Sequence, residues 1–394
     1  MKKPTLIIKR VLKHNRIAYR AYRILFSNLL RFIGLFIRLQ DNLILISSYG
    51  GKRYDDSPRV IHEYLRRHQY LEKFRVVWAL AQPENINIPC ADTVRIDSLK
   101  FFLVALRAKY WITNSSMERG LFFKKRDTIC LNTWHGTPIK KMGSDIPPDS
   151  KFFRADFQAD IMLAQSGYEA EIFSRAFRFP LSKIRITGLP RNDELCGADG
   201  KRGAEIRTKI GLLTEKRIIL YAPTFREFEL SFLGCDFFPP MDFKRWDKSL
   251  GGEYVLLFRA HYEVQEHIKF GNNEFVHDVS EYPNLNELMI VSDVLVSDYS
   301  SIFFDYSILE RPMFCFAYDY KQYIEKRGMY IDLESELPNK PMRSEEEVIE
   351  AVLNMDYECE CRKTRLFKDK YIQACGDAAS KAVSLLLSSK RFHQ

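Results

Sequence analysis

The sequence predicts an α/β protein built on doubly wound parallel sheets, and two observations lead to this prediction. Short apolar, β-branched runs alternate with amphipathic segments of helical spacing, which is the pattern of parallel strands joined by crossover helices. The alternation occurs in two series that are separated near residues 180–215, and a chain of 394 residues normally folds into two domains. We therefore predict one domain at 41–195 and a second at 196–394, preceded by a distinct segment at 1–40.

The first series of elements begins directly after residue 40. Apolar runs predict four strands, at 42–51, 74–80, 110–115 and 128–134. Helices are expected at 57–67 and 99–108, where apolar residues recur at helical spacing. The first of these helices has Ser57 as its expected cap and Pro58 in its first turn.

The second series of elements follows the same alternation. Strands are predicted within 183–193, 216–226, 253–262, 288–312 and 313–319, and the region 288–312 is expected to hold a polar turn and a helix as well. The stretch 197–211 fits either a linker or a surface helix. A last helix is expected at 378–389, and its apolar residues make it a candidate to pack back on the first domain.

The positive charge of the chain is concentrated at its N-terminus. Residues 1–40 hold ten Lys or Arg and no acid, which leaves 50 basic residues (60 minus 10) against 51 acidic ones elsewhere. That balance argues against a nucleic-acid surface on the body of the protein. Arg31 and Arg38 interrupt the apolar run, which argues against a transmembrane helix. Residues 1–40 are predicted to form a basic amphipathic segment on an anionic membrane surface, with a solvated helix packed on the body as the alternative.

The eight cysteines are scattered, and several of them lie in apolar runs. Cys359 and Cys361 form a C-x-C pair, but no second pair with metal-ligand spacing accompanies it. We therefore expect reduced cysteines in a cytoplasmic protein, without a structural zinc site.

Three groups of polar residues follow predicted strands, where open α/β sheets bind their ligands. In the first group, Asp298 and Tyr299 are followed by Ser300 and Ser301 and then by an apolar helical pattern. The two serines are therefore expected at a helix N-terminus, whose free amides can bind phosphate. A plain serine cap is the alternative.

The second group is Arg259 and His261, which end a predicted buried strand. Because they are two positions apart, their side chains project to the same side of the strand. Two cationic donors side by side can hold a diphosphate. A surface arginine beside a partly buried histidine is the alternative.

The third group surrounds His135, in a Trp-His-Gly-Thr-Pro turn after a predicted strand. A histidine in such a turn can act as a general base near neutral pH. Gly136 would let a substrate approach the backbone closely, and Lys140 and Lys141 add positive charge. A structural role for the histidine is the alternative.

Together these segments resemble the CDP-glycerol glycerophosphotransferases, which include teichoic-acid primases, teichoic-acid polymerases and relatives that build capsule. The resemblance is carried by the segments NTWHGTPIKKMG, YAPTFRE, LFRAH and VSDYSSIFFDYSILERP, and it extends over about residues 45–332. It implies a GT-B-like architecture in which two Rossmann-like domains face each other across a cleft. It also implies that a CDP-polyol binds mainly to the C-terminal domain, while the acceptor approaches from the N-terminal domain and the membrane.

The resemblance further implies roles for individual residues. His135 corresponds to the family's proposed base, and His261 to a second essential histidine at the donor diphosphate. Ser300 and Ser301 correspond to the paired serines that hold phosphate. The other expected substrate-binding residues are Gly136, Thr137, Lys140, Arg191, Thr224, Arg226, Arg259, Asp298 and Tyr299. No metal or other cofactor is expected, since the chain has no Asp-x-Asp motif and cations with backbone amides can serve the donor.

The implied reaction moves a polyol phosphate from CDP-glycerol or CDP-ribitol to a hydroxyl of a lipid-linked or polyol-phosphate acceptor, and releases CMP. Glycerol phosphate is favoured, although the motifs are shared with ribitol enzymes. The resemblance implies a peripheral enzyme at the cytoplasmic face of the cell membrane, in synthesis of teichoic acid or a related polymer. The alternatives are a GT-B glycosyltransferase with a nucleotide-sugar donor and a non-catalytic membrane-bound assembly factor.

Overall fold

Two parallel sheets organise the chain in a computed structural model that describes residues 16–146, 158–212, 214–224, 240–260 and 274–389. The strands of the first sheet are β1 (Gln40–Ser47), β2 (Arg75–Leu80), β3 (Asp92–Arg95), β4 (Ala108–Thr113), β5 (Ile129–Asn132), β6 (Ile161–Ala164) and β7 (Ile184–Ile186). Those of the second are β8 (Arg217–Ala222), β9 (Tyr254–Phe258), β10 (Val276–Asp278), β11 (Val294–Ser297) and β12 (Met313–Cys315).

The helices that join and cover these strands are numbered in chain order. In the first half they are α1 (Arg16–Phe36), α2 (Asp56–Arg67), α3 (Leu99–Arg107), α4 (Gly167–Phe177), α5 (Asp193–Cys196) and α6 (Gly200–Lys209). In the second half they are α7 (Phe243–Leu250), α8 (Leu285–Val291), α9 (Ile302–Ser307), α10 (Tyr320–Arg327), α11 (Leu333–Glu336), α12 (Glu345–Asn354), α13 (Tyr357–Tyr371) and α14 (Ala378–Ser388).

Each sheet is doubly wound. The strand orders are β3-β2-β1-β4-β5-β6-β7 and β10-β9-β8-β11-β12, and every pairing is parallel. The order reverses between β1 and β4 in the first sheet and between β8 and β11 in the second. Ligands of open α/β sheets bind at such points, outside the carboxyl ends of the strands. The predicted GT-B-like fold class is confirmed.

Both faces of each sheet are covered, which explains why the central strands read as continuous apolar runs. In β1, Leu43 and Leu45 belong to one core cluster, whereas Ile44 and Ile46 belong to the cluster on the opposite face. The alternation follows from the two-residue period of a strand. The sheets therefore form rigid platforms from which the loops at their carboxyl ends project.

The last helix returns to the first sheet. Phe367 of α13 packs against the second sheet, whereas Val383 and Leu386 of α14 pack with Ile61 of α2 against the first. The chain therefore crosses between the two sheets a second time, within residues 372–377.

Two local expectations are wrong. Ser57 does not cap helix α2, because Asp55 accepts the first amide of the helix and the Ser57 hydroxyl accepts the amide of Arg191 at 3.2 Å instead. Cys196 and Cys375 form a disulfide, so these two cysteines are not reduced. Their pairing joins the end of α5 to the segment in which the chain crosses back.

Helix α1 precedes the first sheet and presents two different faces. Ser27 and Leu30 are buried against the body, and the Ser27 hydroxyl accepts the amide of Phe122 at 2.8 Å. The opposite face leaves several large apolar side chains exposed. No helix in the described ranges has the length and apolarity that crossing a bilayer requires. Residues 1–15, which hold half of the basic side chains of the predicted basic segment, lie outside the described residues.

Candidate active site

His135 lies in the turn after β5, and its ring is fixed in one orientation. Its Nδ1 lies 2.8 Å from the backbone oxygen of Asn114, which follows β4. A carbonyl oxygen only accepts, so Nδ1 carries the proton and Nε2 of the neutral ring keeps a lone pair. The Trp134 ring stacks on the imidazole with centroids 4.1 Å apart. Burial lowers the pKa of His135 from its ordinary value of 6.5, which favours the neutral ring at pH 7.

The backbone around His135 adopts an uncommon conformation. Trp134 has a φ of 50° and Gly136 a φ of 140°, in a region that disfavours residues with side chains. A Cβ atom at Gly136 would lie 2.9 Å from Nη2 of Arg191 and 3.0 Å from Oγ of Ser301. Because Gly136 has no side chain, the His135 turn, Arg191 and Ser301 can meet at one place.

Arg191 connects the loops of the two sheets through a buried network. Its Nη1 donates to the backbone oxygen of His135 at 2.8 Å and to Asp56 at 3.3 Å, and its Nη2 donates to Asp305. The carboxylate side chains are only 2% and 6% exposed. Burial alone would lower the pKa of Arg191, but Asp305 and Asp56 raise it overall. Because protein carboxylates neutralise it, Arg191 acts as a tie across the cleft rather than as an unpaired phosphate ligand.

The loop after β11 brings the predicted serines to the same cleft. Ser300 and Ser301 directly precede α9, and the Ser300 hydroxyl accepts the amide of Ile302 at 3.2 Å. Asp298 is buried, and its Oδ1 accepts the amide of Thr224 at 2.8 Å. Asp298 therefore holds the loops after β8 and β11 together, whereas it was predicted to bind substrate directly.

Two further predicted residues have hydroxyls that the protein itself engages. Tyr299 is buried, stacks on Tyr323 with centroids 3.7 Å apart and donates to Asp319 at 2.8 Å. Thr137 is also buried and donates to Oε1 of Glu169 at 2.6 Å. Both residues contribute to the wall of the cleft, and these contacts orient the wall.

Arg259 places a positive charge at the cleft. Its Nη1 donates to the backbone oxygens of Tyr282 at 2.7 Å and Val279 at 3.4 Å. Burial lowers the pKa of Arg259 to about 10, and Arg53 lowers it further while Asp55 opposes the change. A buried guanidinium beside another cation is a favourable place for an anionic ligand, because the ligand would relieve the repulsion.

Lys140 continues the His135 turn towards the second half of the chain. Its Nζ lies 5.4 Å from the centre of the Tyr323 ring. The next amide, that of Lys141, donates to the backbone oxygen of Gly328 at 3.1 Å. The segment that carries the predicted base is therefore anchored to the part of the chain that follows the second sheet.

The cleft between the sheets consists of two adjoining cavities of about 470 and 610 Å³. The side chains that line both are His135, Arg191, Arg259, Leu285, Ser301 and Asp305, together with the backbone at Ala260. The larger cavity is also lined by the predicted residues Gly136, Thr137, Lys140, Thr224, Tyr299 and Ser300. The predicted residues Arg226 and His261 lie outside the described residues.

Sequence reasoning missed three acidic residues of the cleft, Asp55, Asp56 and Asp305, of which the last two contact Arg191. Asp305 follows Ser301 by four positions, so the two residues share a face of the helix. It is the one acidic residue of that six-residue helix, whose sequence is IFFDYS. A single acidic residue among mostly apolar side chains is a signal by which the sequence could have identified Asp305. Asp56 lies at the start of α2, where an acid is common for reasons of helix stability alone. In the described ranges, no group of three or more His, Cys, Asp or Glu side chains could hold a metal ion.

Comparison with known families identifies relatives over nearly the whole chain. Residues 29–388 match the model of a family described as CDP-glycerol:poly(glycerophosphate) glycerophosphotransferase. A teichoic acid poly(glycerol phosphate) polymerase of Bacillus spizizenii is 32% identical over 96% of this chain and 99% of its own. A teichoic acid glycerol-phosphate transferase of Staphylococcus aureus is 35% identical over 80% of this chain and 84% of its own. The match to the Bacillus subtilis polymerase spans only 48% of that longer protein.

Solved structures give a consistent result. A structure of the wall teichoic acid polymerase TagF superimposes with a TM-score of 0.83 and 29% identity, over 98% of both chains. A UDP-GlcNAc 2-epimerase from Neisseria meningitidis reaches a TM-score of 0.53 at 13% identity, over 88% of this chain and all of its own. The second similarity concerns the fold alone.

Proposed function

Since this chain belongs to the CDP-glycerol:poly(glycerophosphate) glycerophosphotransferase family, we propose that it transfers glycerol phosphate from CDP-glycerol to a hydroxyl of a teichoic-acid-type acceptor and releases CMP. The observation that carries this proposal is the meeting of His135, Ser301 and Arg259 in one cleft. Those side chains can supply a base, phosphate donors and a cation. Ribitol relatives also exist, since a poly(ribitol-phosphate) polymerase is 32% identical over 48% of the chain, so CDP-ribitol is the second donor to test.

His135 is the proposed general base. Its Nδ1 proton is engaged by the backbone oxygen of Asn114, so Nε2 is available to accept the proton of an acceptor hydroxyl. The hydroxyl oxygen then forms a bond to the phosphorus that bears the polyol. The bond from that phosphorus to the bridging oxygen breaks, and CMP leaves with the electron pair. The neutral state of His135, which burial favours, is the state that this step requires.

Negative charge grows on the bridging oxygen and the departing phosphate during this step, so fixed donors should face it. Arg259, Ser300 and Ser301 are the described residues that we assign to this role. The guanidinium of Arg259 would then offset the charge of the diphosphate, and the serine hydroxyls would donate hydrogen bonds to it, without a metal ion. Activity that persists in excess chelator would agree with this assignment, and activity that requires an added divalent cation would contradict it.

We further propose that the enzyme works on a lipid-linked acceptor at the cytoplasmic membrane surface. The support is helix α1, whose outward face exposes Leu25, Phe32 and Phe36. Exposed apolar area of this extent on one helix face is typical of a docking or membrane surface. An enzyme held on the leaflet would meet a lipid-linked acceptor by diffusion in two dimensions.

The proposed reaction is tested by measuring CMP release from CDP-glycerol and CDP-ribitol in parallel, with a short polyol-phosphate acceptor. Turnover with one donor would identify the polyol. His135→Ala should lower turnover by roughly 10²–10⁴-fold, the usual contribution of a general base. The matched control is His68→Ala, since His68 is exposed at the end of α2 and lines neither cavity.

The possible outcomes separate the competing functions. CDP binding and thermal unfolding of the His135→Ala protein should equal those of the wild type. Loss of folding in that variant would favour a structural role for the histidine. UDP or GDP release from a sugar donor would indicate a glycosyltransferase, and CDP binding without turnover of either donor would indicate a non-catalytic relative.

A further inference from the structure

A third cavity, of about 600 Å³, lies between helix α1 and the loop 123–127. It shares no lining residue with the two cavities of the cleft. Its lining is strongly basic. The six cationic residues are Arg31, Arg38, Lys109, Lys124, Lys125 and Arg126, and the two acidic ones are Asp41 and Asp127.

Two of the six cations are engaged by the protein. Lys124 donates to Asp160 at 2.8 Å, and Lys125 donates to the backbone oxygen of Ile37. The second contact satisfies a carbonyl just beyond the end of α1, where carbonyl groups lack helical partners. The remaining four cations form no hydrogen bond or ion pair with another residue of the described ranges: Arg31, Arg38, Lys109 and Arg126. The cavity therefore has an excess of positive charge that an anion can neutralise.

The cavity opens beside the exposed apolar face of α1. Leu25, Leu29, Phe32 and Phe36 are spaced by three or four positions, so they form one stripe along the helix, and each is more than half exposed. Leu35 is 79% exposed and also lines the cavity. An apolar surface and a group of cations thus adjoin each other, as the acyl chains and head groups of a lipid do.

The helix and the cavity form one rigid unit, because α1 approaches the body closely at Gly34. A Cβ atom at Gly34 would lie 3.1 Å from Leu106 and 3.4 Å from Cε of Lys125. The position of the apolar stripe relative to the basic cavity is therefore set by packing. A cavity at a fixed distance from an apolar stripe suits a ligand in which a phosphate is linked to an acyl chain.

We propose that this cavity binds the phosphate of an anionic phospholipid head group while the stripe of α1 enters the acyl region of the leaflet. The inference rests on the proposed membrane contact and adds a specific lipid site to it. A free phosphate would use the cations but not the adjoining apolar stripe, so the lipid is the occupant that accounts for both features.

The test measures binding of the full chain to three kinds of vesicle: neutral phosphatidylcholine, phosphatidylcholine with phosphatidylglycerol, and phosphatidylcholine with a fatty acid at the same surface charge. The wild type should prefer phosphatidylglycerol to the fatty acid. Lys109→Glu and Arg126→Glu should each weaken binding to phosphatidylglycerol vesicles by roughly tenfold and remove this preference, since one basic residue at an anionic surface accounts for about a fivefold change and reversal exceeds removal.

The matched control is Arg20→Glu. Arg20 is exposed on α1, eleven residues or about three turns before Arg31, so both lie on nearly the same face, and it does not line the cavity. This variant should keep the preference for phosphatidylglycerol. Equal binding to both anionic vesicles by the wild type would overturn the proposal, because only diffuse charge attraction would remain. Saturating inorganic phosphate that removes the preference while vesicle binding continues would also overturn it, in favour of a free anion.

CMP release with a soluble acceptor is measured on the same proteins, so that the two proposals fail separately. Lys109→Glu and Arg126→Glu should release CMP at the wild-type rate, since neither residue lines the cleft. Lost lipid preference at unchanged turnover would support the lipid site. Absence of CMP release from the wild type would contradict the proposed reaction and leave the vesicle comparison to decide the lipid site.

Discussion

Replacement of Arg191 by methionine should strongly destabilise the protein. The guanidinium donates to Asp56, to Asp305 and to the backbone oxygen of His135, and its side chain is 15% exposed. Methionine fills a similar volume but leaves the buried carboxylates of Asp56 and Asp305 without the cation that they share. Breaking a buried ion pair on one side costs about 3–5 kcal/mol, because an uncompensated charge stays behind.

That cost corresponds to a fall in the melting temperature of roughly 6–20 °C, at about 2–4 °C per kcal/mol for domains of this size.

The measurement is urea unfolding of both proteins at neutral pH. Arg75→Met serves as the control, because Arg75 forms an ion pair with Asp92 in which both side chains are more than half exposed. Such surface pairs contribute about 0–1 kcal/mol. A loss below about 1 kcal/mol for Arg191→Met, no larger than that of a surface pair, would refute the role of Arg191 as a buried tie.

Three further predictions concern Gly136, His135 and His62. Gly136→Ala should lower turnover by more than tenfold in the CMP-release assay, because its Cβ would displace Arg191 or Ser301; wild-type turnover would contradict the close approach. The acid limb of kcat/KM should lie below pH 6.5, since burial lowers the pKa of His135; a limb above 6.5 would assign it to another group. Burial also lowers the pKa of His62 to about 4, so stability should fall by about 3 kcal/mol as the pH drops from 6.5 to 4. His62→Gln should flatten that slope in urea unfolding, and an unchanged slope would exclude His62 as its source.

The central strands were predictable because burial on both faces leaves a plain signal in the sequence. Every predicted strand region overlaps an observed strand, and helix α14 lies within one residue of its expected range. The stretch 197–211 proves to contain helix α6. The sequence analysis missed three strands, β3, β6 and β10. Strand β6 is largely buried, but it has only four residues. Strands β3 and β10 are edge strands that contain exposed positions. Half-solvated edges of three or four residues carry too little apolar pattern to be recognised.

The candidate site was predictable only for residues whose place in the fold follows from the neighbouring sequence. The turn at His135 and the serines at 300 and 301 follow strands directly, so the sequence places them at the carboxyl ends of the sheets. The partners of Arg191 could not be found in this way. Asp56 is 135 positions from it in the sequence and Asp305 is 114 positions away. Such pairs depend on how the two sheets face each other, which no local pattern records.

The same long-range network links the His135 turn to the opposite side of the cleft. The same Arg191 nitrogen that donates to Asp56 donates to the backbone oxygen of His135. The other terminal nitrogen donates to Asp305 on helix α9, which connects two strands of the second sheet. If the two sheets moved apart, Arg191 would lose one carboxylate and the His135 turn would lose a support. The His135 ring keeps its contact with Asn114 in either case, whereas its turn is linked through Arg191 to the loops that carry the phosphate donors only while the two sheets face each other.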